Sequence, residues 1–188
     1  KNNRMSTQLT IDERNAVLLS MANLVENEKE SILKSNKIEL DNYSGDDLAM
    51  EDRLKVDDSK IEGMIGSLKH LASQNDPVGV ERFNFRHENG MQVYNKTASF
   101  GTVMIIYESR PDVTVEAAGI AFKSGNKILL KGGKESLNSN LEIVKLWHAA
   151  LKENDISSYW VEYLQFDRKK TQEFLKNPDQ PVDLIVPR

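Results

Sequence analysis

Two stretches of this sequence combine residue types suited to holding a negatively charged ligand. One is Tyr107-Glu108-Ser109-Arg110-Pro111; the other is Lys131-Gly132-Gly133-Lys134-Glu135-Ser136. Each follows an apolar run of strand length, Val103-Met104-Ile105-Ile106 and Ile128-Leu129-Leu130, and each precedes a helical pattern. Paired glycines let an anion approach backbone N–H groups, and the start of the following helix is positively polarised. Arg110, Lys131 and Lys134 add cationic charge near the same edge. Neither stretch is the GxGxxG fingerprint or a P-loop. By itself, Lys-Gly-Gly-Lys after a strand reads equally as a phosphate-contacting loop or as a turn with solvated lysines.

Other candidate chemistry is thin. His70, His87 and His148 are far apart and lack partners at ligand spacing, so they read as core or surface histidines and no metal site is expected. Asp57-Asp58 near Asp52 reads as a solvated helix start, and Glu26 to Lys34 as a solvated charged face. Trp147 and Trp160 read as core. There is no cysteine, which removes disulfides, Cys-zinc sites and thiol nucleophiles from these residues and fits a reducing compartment.

The elements that position the two stretches follow from composition and period. The chain has 188 residues, 39% hydrophobic and 29% charged, with a net charge of −4. That is one domain, or one and a fragment, with apolar blocks that exclude wholesale disorder. The acidic balance argues against nucleic-acid or anionic-membrane partners. Lys1 to Gln8 lacks the apolar region of a signal peptide, and the longest purely apolar run is far short of the roughly 20 residues of a bilayer span. A soluble cytoplasmic protein is the expectation, and no internal repeat is visible.

From Thr10 to about Lys34, Val17, Met21, Leu24 and Val25 form one helical stripe, opened by a Thr10/Glu13 capping box. Ile32, Leu33, Ile38 and Leu40 suggest a second helical stretch, and Asn42 to Asp47 reads as a loop. A further helix is expected from Ser59, with Ser59-Lys60-Ile61-Glu62 as its capping box, and should stop before Pro77. Phe83 and Phe85 alternate with polar residues, and Asn89-Gly90 suits a tight turn, which predicts a hairpin of about Glu81 to His87 and Met91 to Thr97. A lone hairpin is marginal in water, so it must lie against the rest of the protein or another subunit.

The last part alternates strand and helix. Strands are expected at Thr102 to Tyr107, Lys127 to Lys131, Trp160 to Phe166 and Val182 to Val186. Between them lie a helix from Pro111 to Gly125, a long amphipathic helix with Leu141, Val144, Trp147, His148 and Leu151 on one face, and a short one at Thr171 to Leu175. The fold class is α/β: N-terminal helices, a β-hairpin, then part of a doubly wound parallel sheet covered on both faces. In such sheets ligands bind outside the carboxyl ends of the strands, where both charged stretches fall.

At these residues the sequence resembles a family. The run Ile106 to Val115 (Ile-Tyr-Glu-Ser-Arg-Pro-Asp-Val-Thr-Val) is similar to the signature of γ-glutamyl phosphate reductases, glutamate-5-semialdehyde dehydrogenases of the aldehyde dehydrogenase superfamily. Lys123-Ser124-Gly125-Asn126, Leu130 to Ser136 and Ser139-Asn140 continue it. So do Asn36-Lys37-Ile38-Glu39-Leu40, Asp52-Arg53-Leu54, Asp76-Pro77-Val78-Gly79 and Asp183 to Arg188. The resemblance covers nearly the whole chain in order. It departs at Thr97 to Thr102, where the family more often has a proline before the glycine.

The resemblance implies a Rossmann-like cofactor sheet, with residues 1–79 as an N-terminal helical segment, 80–98 as an oligomerisation-type hairpin and 99–188 as the first half of an NADP-binding sheet. It implies NADPH-dependent reduction of L-glutamate 5-phosphate to L-glutamate 5-semialdehyde in proline biosynthesis, by a homo-oligomer. Lys131 would contact the adenosine ribose or its phosphate, with Gly132 and Gly133 in the same loop. Glu135 would accept from a ribose hydroxyl. Tyr107, Glu108 and Ser109 would lie along the cofactor, and Arg110 would meet an anionic group on substrate or cofactor, which suits a planar guanidinium.

The family's nucleophile is a cysteine further along the chain, whose thiolate attacks the acyl phosphate. No residue here replaces it, so no catalytic residue is expected in these 188, the catalytic domain is absent, and the chain alone should not turn over. A strand that ends at Arg188 leaves an open sheet edge, which reads as a cut or a stop within a domain. Two alternatives stand beside this. One is the reductase domain of a bifunctional pyrroline-5-carboxylate synthase, although nothing at Lys1 to Leu9 resembles a kinase remnant. The other is a truncated, non-catalytic nucleotide-binding or interaction module.

Overall fold

The structure is a computed structural model that describes residues 8–188. Readings made on residues 1–7 lie outside it. Among the described residues no helix is long and apolar enough to cross a membrane.

Thr10 opens α1 (Ile11–Asn27) through the expected capping box: its hydroxyl accepts from the Glu13 N–H at 3.2 Å, and the Glu13 carboxylate accepts from the Thr10 N–H at 2.7 Å. The helix does not run on to Lys34. Glu28 leaves helical geometry at φ −103°, and α2 (Lys29–Asn42) begins at once. Val25 before the break and Ile32 after it both lie in the same core. The polar stretch after Asn42 contains a helix that periodicity hid, α3 (Leu48–Leu54). Asp47 caps it, accepting from the N–H groups of Ala49 and Met50 at 2.9 and 3.2 Å. Only Leu54 of this helix is buried, so no apolar stripe marks it.

The next helix, α4 (Asp58–Ser73), is capped by Asp57 and not by Ser59: the Asp57 carboxylate accepts from the Lys60 N–H at 3.0 Å. The Val56 N–H, tied to Asn36 Oδ1 at 2.7 Å, sets where the chain enters that helix.

Strands β1 (Glu81–Arg86) and β2 (Gln92–Lys96) pair antiparallel. Their connection is longer than a two-residue Asn-Gly turn. His87 N–H donates to the Met91 carbonyl at 2.8 Å, Gly90 alone takes a positive φ (87°), and the Asn89 side chain accepts from Met91 N–H instead. Phe83, Phe85, Met91 and Tyr94 are all about half exposed.

The main sheet is all parallel, in the order β5-β4-β3-β6, from β3 (Thr102–Ile106), β4 (Lys127–Lys131), β5 (Val161–Tyr163) and β6 (Leu184–Pro187). Helices α5 (Pro111–Lys123), α6 (Leu137–Glu153) and α7 (Arg168–Lys176) connect them in turn. The pleat sends Val103, Ile105, Ile128 and Leu130 into the core shared with α5 and α6, and Met104 and Leu129 to the opposite face with Phe174 of α7. Helices α1, α2 and α4 pack on α5 and α6 as an outer layer.

Strand β5 is shorter than expected. A 3₁₀ turn at Ser158–Trp160 takes its start, with Ser157 Oγ accepting from Tyr159 N–H, and Trp160 turns edge-on to Phe122 at 6.2 Å. At the entry to β3, Gly101 holds φ 118° against the Asp183 carboxylate, which accepts from Thr102 N–H at 2.8 Å and ties β6 to β3.

Candidate functional site

The strand order reverses between β3 and β6, so a crevice is expected outside the carboxyl ends of β3, β4 and β6. Both charged stretches lie there. Register places Ile106 beside Lys131, and Tyr107 N–H donates to the Lys131 carbonyl at 3.0 Å. The loops then run side by side: Ser109 Oγ donates to Glu135 Oε2 at 3.2 Å, and Gly133 lies against Ser109 and Glu108.

Side chains within the loops differ sharply in availability. The pleat puts Tyr107 on the face of Val103 and Ile105, where it is buried at 4% exposure. Its hydroxyl lies 2.6 Å from Thr114 Oγ1, which donates to Asn140 Oδ1 at 2.7 Å. Asn140 Nδ2 in turn donates to Ser136 Oγ and Tyr163 Oη at 3.0 and 3.1 Å. Burial pushes the Tyr107 phenol far above its ordinary range. Tyr107 thus has its N–H engaged by β4 and its hydroxyl spent in the core.

Ser109 is fully buried and Glu108 exposed. Arg110 is partly exposed; its Nη2 donates to Asp112 Oδ2 at 2.8 Å, and that carboxylate holds the guanidinium above its ordinary pKa. Lys131 is half-buried and donates to the Gly132 carbonyl, and burial lowers its ammonium, with Glu135 pulling the other way. Lys134 is exposed.

Two features differ from the sequence reading. A Cβ on Gly132 would fall 2.4 Å from Asn140 Nδ2 and 2.7 Å from Tyr163 Oη; one on Gly133 would fall 3.0 Å from Glu135 Oε2. The buried Asn140 and the Tyr163 hydroxyl close over Gly132, so internal packing already favours glycine there, while at Gly133 only small shifts of Glu135 and Ser109 are needed. The start of α6 is also taken. Glu39 of α2, 7% exposed, accepts from Asn138 N–H at 2.5 Å, from Ser139 N–H at 3.1 Å and from the Ser139 hydroxyl. Its carboxylate fills the positively polarised end that the sequence reading left to a ligand. Burial pushes Glu39 above the ordinary carboxylate range, against the pull of these donors.

Beside Glu39, buried Asn36 donates to the Leu54 carbonyl at 2.8 Å and to Ser139 Oγ at 3.3 Å. Arg53 at the end of α3 approaches Glu108, Nη1 to Oε2, at 3.4 Å. The sequence reading gave these three residues no role. The only signal was their place in the family-like stretches Asn36 to Leu40 and Asp52 to Leu54.

No protein-family profile matches the chain. It is 35% identical over 187 residues to a γ-glutamyl phosphate reductase from Clostridium kluyveri, covering 98% of this chain and 45% of that protein. The crystal structure of a γ-glutamyl phosphate reductase from Thermotoga maritima superposes with a TM-score of 0.89 at 34% identity, over 96% of this chain and 44% of that one. At the level of fold alone, a succinic semialdehyde dehydrogenase from Streptococcus pyogenes, solved with NADP+, matches with a TM-score of 0.66 at 14% identity, over 98% of this chain and 36% of that one. The chain spans about half the length of the curated relatives it matches. Over the residues it spans, the chain is similar to γ-glutamyl phosphate reductases and has the aldehyde dehydrogenase fold.

Proposed function

We propose that this chain supplies the cofactor-binding part of an enzyme that reduces L-glutamate 5-phosphate to L-glutamate 5-semialdehyde with NADPH, in proline biosynthesis. The observation that carries the reading is the meeting of Tyr107–Arg110 and Lys131–Glu135 at the carboxyl edge of an all-parallel sheet, bridged by Ser109 and Glu135. The relatives' names supply the reaction.

The residues fit a nicotinamide dinucleotide in a particular way. The α6 amides of Asn138 and Ser139 are engaged by Glu39, so cofactor phosphates are left to side-chain cations and to loop backbone. Lys131 is the half-buried cation of the edge and Lys134 the exposed one beside it, which suits a ribose phosphate. Glu135 has its second oxygen to offer a ribose hydroxyl. Arg110 is anchored by Asp112 and exposed on its outer side, which suits an anionic group of the substrate. The bound cofactor supplies hydride. The nucleophile is a cysteine outside these 188 residues, which contain none.

The exposed apolar hairpin supports assembly into a homo-oligomer, and the absence of a membrane-length helix among the described residues is compatible with a cytoplasmic enzyme. A growth test decides the reading. A longer reading frame in which these 188 residues are followed by the cysteine-bearing part that the proposal requires should restore proline-independent growth to a strain lacking γ-glutamyl phosphate reductase. Failure to do so with the protein expressed and folded would sink it. The purified 188-residue chain should oxidise no NADPH with L-glutamate 5-phosphate, and measurable turnover would refute the assignment of the nucleophile.

A further inference from the structure

The turn of the hairpin holds the chain's one Asn-Gly pair: of all the asparagines, only Asn89 precedes a glycine. Residues 86–92 are all exposed, so water reaches both groups. The Asn89 side chain does not point away from its successor. Its Oδ1 accepts from Met91 N–H at 3.1 Å, which closes a small ring containing both Asn89 Cγ and the Gly90 nitrogen. The side chain is therefore folded over the peptide that follows it, and the same hydrogen bond polarises its carbonyl.

Gly90, at φ 87°, brings no side chain to shield its nitrogen. The nearest non-neighbouring atom to a Cβ built there is Arg86 Nη2, at 4.0 Å, and a guanidinium favours the anionic form of groups near it. Gly90 N–H donates to the His87 carbonyl at 2.9 Å, but this bond lies at an exposed turn, where local opening costs least. Other asparagines lack this combination. Asn36, Asn126 and Asn140 are buried and hydrogen-bonded through their side chains. Asn138 is followed by Ser139, whose N–H is held by Glu39 at 3.1 Å inside α6.

We propose that Asn89-Gly90 is a site of spontaneous backbone modification, at which the asparagine is converted to aspartate and isoaspartate. The Gly90 nitrogen gives up its proton to solvent base and attacks Asn89 Cγ. The bond from Cγ to the side-chain nitrogen breaks, ammonia leaves, and a five-membered succinimide closes. Water then opens either carbonyl of that ring, so the net change is water in and ammonia out. The chemistry does not depend on the enzymatic reaction proposed above. Both products carry a carboxylate in place of a neutral amide. With histidine neutral, Arg82, Arg86 and Lys96 outnumber Glu81 and Glu88 by one across the hairpin, and the new charge cancels that surplus. The isoaspartyl product also adds a carbon to the main chain between His87 and Met91, which breaks the 2.8 Å closure of the turn.

The test ages the 188-residue chain at mildly alkaline pH, digests it in acid and maps the peptides by mass spectrometry. The peptide containing Asn89 should gain one mass unit, and an isoaspartate methyltransferase should label it. Peptides with Asn36, Asn126, Asn138 and Asn140 should not change over the same interval. The rate should rise with pH, because the attacking nitrogen must lose its proton. G90A should leave Asn89 unconverted over that interval, since a methyl group hinders the attack. In the aged chain the amide signals of His87 and Met91 should shift while those of the parallel sheet stay in place. Conversion led by another asparagine, or G90A converting as fast as the parent, overturns the proposal. So does an Asn89 that stays intact in the folded chain while a free peptide of residues 86–92 converts fully, because the turn then protects it.

Discussion

Replacing Glu39 tests whether a carboxylate from α2 holds the start of α6. The Glu39 side chain is the acceptor for two backbone N–H groups and one hydroxyl, at a helix end with no cap from its own N-cap residue, Ser136. Truncation in E39A removes a cap worth about 1 kcal/mol and orphans the buried Ser139 donors at about 1–3 kcal/mol, while water can reach Asn138. The sum is about 2–4 kcal/mol, a large share of the roughly 5–15 kcal/mol of a whole domain. At about 2–4 °C per kcal/mol for a chain of this size, the melting temperature should fall by about 5–15 °C. E39Q keeps the shape but turns an amide NH2 toward donors, so it should cost less than E39A.

The pH dependence carries the sign. Burial raises Glu39 above its unfolded value, so the folded state holds the proton more tightly. Wild-type stability from this group therefore falls as pH rises from the ordinary carboxylate value through the raised one, and is flat above it. E39Q lacks this dependence, so its penalty should shrink as pH rises across that window. Urea unfolding followed by helical circular dichroism, from acid to neutral pH, measures both. A penalty below about 0.5 kcal/mol in E39A would refute the capping role. A penalty for E39Q that grows with pH would refute burial as the dominant cause.

Other perturbations follow from the same geometry. G132A drives a methyl onto Asn140 and Tyr163 and should cost about 1–3 kcal/mol by overpacking, read by thermal melting. Unchanged stability would show that the Tyr107–Thr114–Asn140 network yields easily. R14M removes the Nη2 donor to both Asp76 carboxylate oxygens and the Nη1 donor to the Lys123 carbonyl, and should cost about 2–4 kcal/mol. A neutral result would mean that water replaces the buried guanidinium. K131M should weaken NADPH binding by about tenfold or more in a calorimetric titration, the loss of one charge-assisted contact; equal affinity would remove Lys131 from the cofactor site. Replacing Phe83 and Phe85 together with serine should abolish self-association in sedimentation velocity without lowering the melting temperature, because both rings are about half exposed. A parent chain that stays monomeric at high concentration would contradict an interface on the hairpin.

What the sequence determined by itself was whatever depends on near neighbours. The Thr10/Glu13 box, the stop at Gly125, and the apolar runs of β3 and β4 are local patterns, and each element formed where its pattern lay. Strand–helix alternation set the parallel sheet, and the sheet set the edge where Tyr107–Arg110 and Lys131–Glu135 meet. Tertiary structure decided what had no local signature. Helix α3 buries one residue and shows no stripe; Asp57 rather than Ser59 caps α4 where Asn36 pins the incoming chain. The start of α6, open to an anion by sequence, is filled by a glutamate 100 residues away. Gly132, which suggests room for a ligand, has Asn140 and Tyr163 standing against it. Helix caps and strand runs are written in neighbouring residues; which distant carboxylate reaches a helix end, and which side chain closes over a glycine, exist only once the layers have packed.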